Sequence, residues 1–143
     1  MPRLKQDDPR LRKDGPTVEV RVEPILDAQR LMRADGDEVP SILIRALVDT
    51  GASGTLVQTS VIKRLGLEWI GTVLLTTPST TKPLERYEYR VRVVLSESIA
   101  FETDVVEAPL VGQKVQCLIG RDILEYVVFT YDGPNSRFSI TLK

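Results

Sequence analysis

Val18, Val20 and Val22 alternate with Glu19, Arg21 and Glu23, the period-two pattern of a strand with one buried face, and this strand begins at Thr17 and is ended by Pro24. After a polar turn at Asp35–Glu38, the run from Ile42 to Val48 is the most apolar of the chain and predicts a buried strand. Thr59 or Ser60 can cap a short helix whose Val61, Ile62 and Leu65 face inward and which Gly66 terminates. Thr72 to Leu75 and Tyr87 to Leu95 read as the arms of a long hairpin. Its second arm carries Tyr87, Tyr89, Val91 and Val93 on one face and Glu88, Arg90 and Arg92 on the other. The tip between them, Thr76 to Pro83, is polar and stiffened by two prolines. Strands follow at Phe101–Val106 and Val115–Ile119, then a helical turn for which Asp122 and Glu125 offer a capping box. Val127–Tyr131, a turn at Asp132–Asn135, and the alternating Phe138, Ile140 and Leu142 close the chain. Many short strands with one or two helical turns predict an all-β domain built as a closed barrel or sandwich.

Residues 1–16 lack any apolar period and hold three prolines, with five basic residues among the first thirteen. They are expected to form a flexible basic tail before a folded domain spanning 17–143. The whole chain has 143 residues, enough for one ordinary domain.

With no histidine and a single cysteine, Cys117, the chain cannot build a Ser-His-Asp or Cys-His nucleophile, a His-ligated zinc site or an internal disulfide. Carboxylate, hydroxyl and lysine chemistry remain. Nineteen Lys and Arg against 20 Asp and Glu give a net charge of −1, so no global basic field draws nucleic acid or an anionic membrane. Residues 42–48 are too short to cross a bilayer, and the first residues do not resemble a secretory signal. The expectation is a soluble protein of a reducing compartment, the cytoplasm. The Asp35–Glu38 turn lacks the further ligands of a calcium loop, and neither a metal nor a cofactor is expected.

The chemistry concentrates in Val48-Asp49-Thr50-Gly51-Ala52-Ser53. Asp-Thr-Gly alone is an ordinary turn sequence. Here it follows a buried strand and is continued by Ala, Ser and Gly, which leave room for another backbone to approach. Ser53 as a nucleophile would need a lysine to activate it, and no lysine spacing favours that. Thr76–Thr81 reads as a solvated loop tip, with phosphorylation as the other use, and Cys117 reads as a small core residue.

Val48 to Ser53 resembles the catalytic loop of the retropepsin-like aspartic peptidases. Cys117-Leu118-Ile119-Gly120-Arg121-Asp122-Ile123-Leu124 resembles that family's second signature, and the intervening helix and hairpin fall in the family's order. The resemblance spans roughly residues 17–142. It implies one lobe per chain, because only one Asp-Thr-Gly is present, and hence a homodimeric endopeptidase in which two copies of Asp49 meet on a twofold axis. Two carboxylates at roughly 3 Å and an effective dielectric near 20 repel by about 5 kcal/mol, so the pair retains one proton, the known behaviour of the aspartic-protease dyad.

The resemblance further implies that the Thr50 hydroxyl bonds across the dimer and that the Gly51 N–H reaches the carboxylate. Ala52 and Ser53 would lie along an extended peptide substrate. The hairpin corresponds to the flap, so Thr77, Pro78, Ser79 and Thr80 are candidate substrate contacts, although this tip has prolines where retroviral flaps have glycines. Arg121 matches an arginine that in retroviral members pairs with an acid after the catalytic loop, where this chain has Ser53 and Gly54. The strand Arg137–Lys143 is expected to interleave at the dimer interface. The rival reading is a retropepsin-like dimerisation or peptide-binding module without turnover.

Overall fold

A computed structural model describes residues 1–76 and 82–143. The elements run β1 (Arg3–Asp7), α1 (Leu11–Asp14), β2 (Thr17–Glu23), α2 (Leu26–Ala34), β3 (Ile42–Val48), β4 (Leu56–Gln58) and α3 (Thr59–Leu65). They continue as β5 (Gly71–Leu75), β6 (Leu84–Ser96), β7 (Ile99–Ala108), β8 (Cys117–Ile119), α4 (Arg121–Leu124), β9 (Val127–Asp132) and β10 (Arg137–Leu142). One sheet has the order β2-β3-β8-β4-β7-β6-β5, and an added β2–β6 pairing closes it into a barrel from which β5 extends. The predicted all-β architecture with few short helices is the one observed.

The alternation read from the sequence explains the core. Val18, Val20 and Val22 of β2, Ile42, Ile44, Ala46 and Val48 of β3, and Val91, Val93 and Leu95 of β6 all turn inward and are buried. Glu19 pairs with Arg45 in the β2–β3 register, on the outer face. α3 buries Val61, Ile62 and Leu65 and ends at Gly66, whose φ of 67° is the left-handed conformation that glycine adopts freely. Neither Thr59 nor Ser60 caps it. Gln58 precedes the helix, and the Thr59 hydroxyl donates instead to the buried Glu107 carboxylate.

Residues 1–16 are not the expected tail. β1 pairs antiparallel with β10, α1 follows, and Leu11 is only 1 % exposed within the core. The basic residues mask a strand whose Leu4 packs on the core while Arg3, Lys5 and Asp7 stay outside. Helix α2 was not foreseen. Leu26 and Leu31 are exposed, only Gln29 is buried, and Ile25, Ala28 and Met32 on its side are half-buried, so its apolar face is short and interrupted by a polar residue. Polar contacts tether it: Gln29 Nε2 donates to the Pro24 carbonyl at 2.7 Å, and the Leu26 N–H to Glu102 at 2.8 Å.

Tyr87, on the same strand face as the buried Val91 and Val93, is 45 % exposed and packs on Trp69 with ring centroids 5.2 Å apart, because this part of β6 has run past β7 to pair with β5. The expected interleaving of residues 137–143 with another subunit also meets an obstacle. β10 is the middle strand of a second sheet, β1-β10-β9, with both edges already paired. No described helix is long and apolar enough to cross a membrane.

Candidate active site

β3 and β8 run parallel, with Ala46, Leu47 and Val48 against Cys117, Leu118 and Ile119. Two loops distant in sequence therefore leave the barrel side by side. The Asp49 N–H donates to the Ile119 carbonyl at 2.9 Å, which continues the ladder by one residue and fixes where the strand ends and the loop begins. The chain then folds back tightly. The Gly51 N–H donates to Asp49 Oδ1 at 2.9 Å and the Ala52 N–H to the Asp49 carbonyl at 3.2 Å. Asp49 is half-buried, while Thr50 and Gly51 are exposed. A carboxylate held by a backbone donor has one oxygen oriented and can present the other.

The second loop braces the first. The Arg121 guanidinium donates to the Thr50 carbonyl at 2.7 Å, and the Arg121 N–H to the Ala52 carbonyl at 2.9 Å. The partner of Arg121 is thus a main-chain oxygen of the Asp-Thr-Gly turn and not an acid. Asp122 does not form the expected capping box with Glu125, because α4 starts one residue earlier behind Gly120. Its carboxylate instead accepts the Thr55 N–H at 3.1 Å and the Thr55 hydroxyl at 2.8 Å. That hydroxyl, fully buried, also accepts the Gly120 N–H at 3.2 Å. Gly120 presses on Gly54: a Cβ at position 120 would lie 2.5 Å from the Gly54 carbonyl carbon.

Above the loop opens a cleft of about 510 Å³ lined by Asp49, Ala52, Ser53, Leu56, Val73 and Leu75, among others. The sequence-predicted residues Asp49, Gly51, Ala52 and Ser53 therefore meet at one opening. Thr50 sits at the outer surface beside Arg121. Thr77, Pro78, Ser79 and Thr80 lie outside the described residues. The apolar walls contributed by Leu56, Val73, Leu75, Val106 and Leu118 were missed, since they come from separate strands and share no motif. Among the described residues no group of three or more His, Cys, Asp or Glu is placed to hold a metal. Cys117 is buried in β8, and burial pushes its thiol up to about 12, with the Asp122 charge adding to the effect. It is a core residue.

On this retropepsin-like fold a carboxylate at the end of a barrel strand, fixed by the nearby Gly51 N–H, opens on a largely apolar cleft. The family model for aspartyl proteases matches residues 34–123, and the chain belongs to the aspartyl protease family. Among solved structures, the retropepsin-like aspartic protease from Rickettsia conorii is similar over 89 % of this chain and 93 % of that one, at 16 % identity and a TM-score of 0.50. The EIAV protease, solved with an inhibitor, aligns over 77 % of this chain and 85 % of that one, at 20 % identity and a TM-score of 0.45. No curated protein matches.

Proposed function

We propose that this chain is one half of a homodimeric aspartic endopeptidase. The observation that carries the reading is the Asp49 carboxylate, held at 2.9 Å by the Gly51 N–H at the opening of the cleft, in a chain with a single Asp-Thr-Gly. Two copies supply the two carboxyls. The ionised one takes a proton from a water held between them as that water adds to the scissile carbonyl, and the protonated one donates a hydrogen bond to the carbonyl oxygen. The tetrahedral species collapses as the carbon–nitrogen bond breaks and the departing amine takes the proton that the first carboxyl accepted from the water, so no covalent enzyme intermediate forms. In this reading Thr50 bonds across the dimer, and Ala52 and Ser53 bind an extended peptide through its main chain. The hairpin β5–β6 covers the cleft during turnover, excluding water, and Thr77, Pro78, Ser79 and Thr80 are the substrate contacts this reading proposes.

The test is cleavage of unstructured peptides by the wild type and by Asp49→Asn, with sedimentation of both. Cleavage by the wild type and none by the variant, with the same assembly state, supports the reading. Equal cleavage by the two would end it. Because one proton must be shared by two carboxyls, the rate is expected to peak at mildly acidic pH, and a rate still rising above neutrality would contradict the mechanism.

A further inference from the structure

The cleft continues along one face of the main sheet. Leu118, Leu56 and Val106 are register partners across β8, β4 and β7, and all three line the cleft. Residues opposite each other on neighbouring strands share a face, as do residues two apart on one strand. Val106 lies opposite Glu88 of β6, which lies opposite Gly71 of β5. Two residues farther along, Arg86 is opposite Val73, and Leu84 is opposite Leu75. Val73 and Leu75 line the cleft again. Glu88 and Arg86 therefore lie on the cleft face, between two sets of apolar lining residues.

Three arginines share this even-numbered face of β6, and two of them have an acid from a neighbouring strand. Arg90 pairs with Asp104 of β7 at 2.9 Å and Arg92 with Glu23 of β2 at 3.9 Å. Arg86 forms no ion pair among the described residues, not even with Glu88 two positions away. It is half-buried, and its Nε is shut away from solvent with no hydrogen-bond acceptor among the described residues. A guanidinium stays charged at any working pH and offers its donors in a planar fork. Keeping a donor from water without an acceptor costs stability, so a ligand that brings the acceptor recovers that cost on binding. A carboxylate fits the fork through two parallel bonds.

We propose that Arg86 sets substrate specificity by taking the side-chain carboxylate of an aspartate or glutamate at one fixed position of the bound peptide. The proposal rests on the endopeptidase reading above and names its substrate class, unstructured peptides with an acid near the bond that is cut. An extended peptide held by its main chain sends alternate side chains to one face, so one position of a given binding register meets Arg86. The neighbouring Val73 is apolar, which lowers the competition from water and makes a charged pair there more selective than one in open solvent.

The experiment incubates the full chain with a mixture of unstructured peptides and reads the cut sites by mass spectrometry. Aspartate or glutamate is expected to be enriched at one position relative to the cut. The best peptide is then compared with the same peptide carrying the amide of that acid. Wild-type kcat/KM is expected to favour the acidic peptide by about tenfold or more, and the preference should fade below about pH 4, where the peptide carboxyl takes a proton. In Arg86→Met the ratio should approach one, and in Arg86→Glu a lysine peptide should overtake the acidic one. Cleavage by the wild type without acidic enrichment, or a ratio that Arg86→Met leaves as it was, would overturn the assignment and leave the endopeptidase reading standing. No cleavage of any peptide by the wild type would remove both. The enrichment and its pH dependence, measured on the wild type, decide the matter even if a variant folds poorly.

Discussion

Replacing Gly120 with alanine places a methyl group 2.5 Å from the carbonyl carbon of Gly54 and 3.0 Å from its Cα. The backbone at Gly120 (φ −92°, ψ −176°) suits any residue, so the whole cost comes from the collision. Relief requires a separation of about 1 Å between the loop at Gly54 and the start of α4, and overpacking of this sort costs about 1–3 kcal/mol. The same movement strains the Thr55 bonds to Asp122 and from Gly120, each worth about 1 kcal/mol net. Gly120→Ala should therefore lose about 3–5 kcal/mol, a large part of the roughly 5–15 kcal/mol that holds a domain folded. Its contact partner behaves oppositely. A Cβ on Gly54 meets nothing within 4 Å, and its φ is not positive, so Gly54→Ala should change stability by less than about 1 kcal/mol. Because Gly54 lines the cleft, that variant is expected to show its effect in KM. Urea unfolding followed by circular dichroism measures both. Equal losses in the two variants, or a Gly120→Ala loss below about 1 kcal/mol, would refute the interlock of the two loops.

Arg121→Ala removes a charged donor from the Thr50 carbonyl, an interaction worth about 1.5–3 kcal/mol, and in peptide-cleavage kinetics should lower kcat at least about tenfold with little change in KM, while Arg121→Lys recovers part of the loss. Leu11→Ala should cost about 2–5 kcal/mol in denaturant unfolding, as for a core leucine; a neutral result would mean that residues 1–16 do not pack. Cys117 should resist alkylation in the folded chain and react on unfolding. Its raised folded value means that the unfolded state loses this proton first. Stability should therefore fall as pH rises from about 9 toward 12, by at most about 1.4 kcal/mol per pH unit. Cys117→Ala should remove that part of the slope in alkaline unfolding titrations.

Strands β2 and β3 were legible because one face of each meets the core and the other meets water, which writes the period into the residue types. Helix α2 was not, because its short apolar face of Ile25, Ala28 and Met32 is interrupted by Gln29, and the bonds made by Gln29 and Glu102 to main-chain groups leave no period in the sequence. Leu11 was invisible for a related reason: a single buried leucine in a charged run has no period. In the site, Asp49 to Ser53 could be read as a motif because the loop is contiguous. The bracing could not, since Arg121 engages a backbone carbonyl, which any residue at position 50 would supply. How far that face stays buried was not legible, because alternation continues along β6 past its pairing with β7 and Tyr87 stays exposed there.

The parallel pairing of β3 with β8 joins residues about seventy positions apart, and such a pairing forms only after a long stretch of chain has been closed into a loop. Until then neither the Ile119 carbonyl nor Arg121 braces the turn that carries Asp49. A nascent polypeptide thus cannot hold Asp49 in its braced position until β8 and the start of α4 have been made.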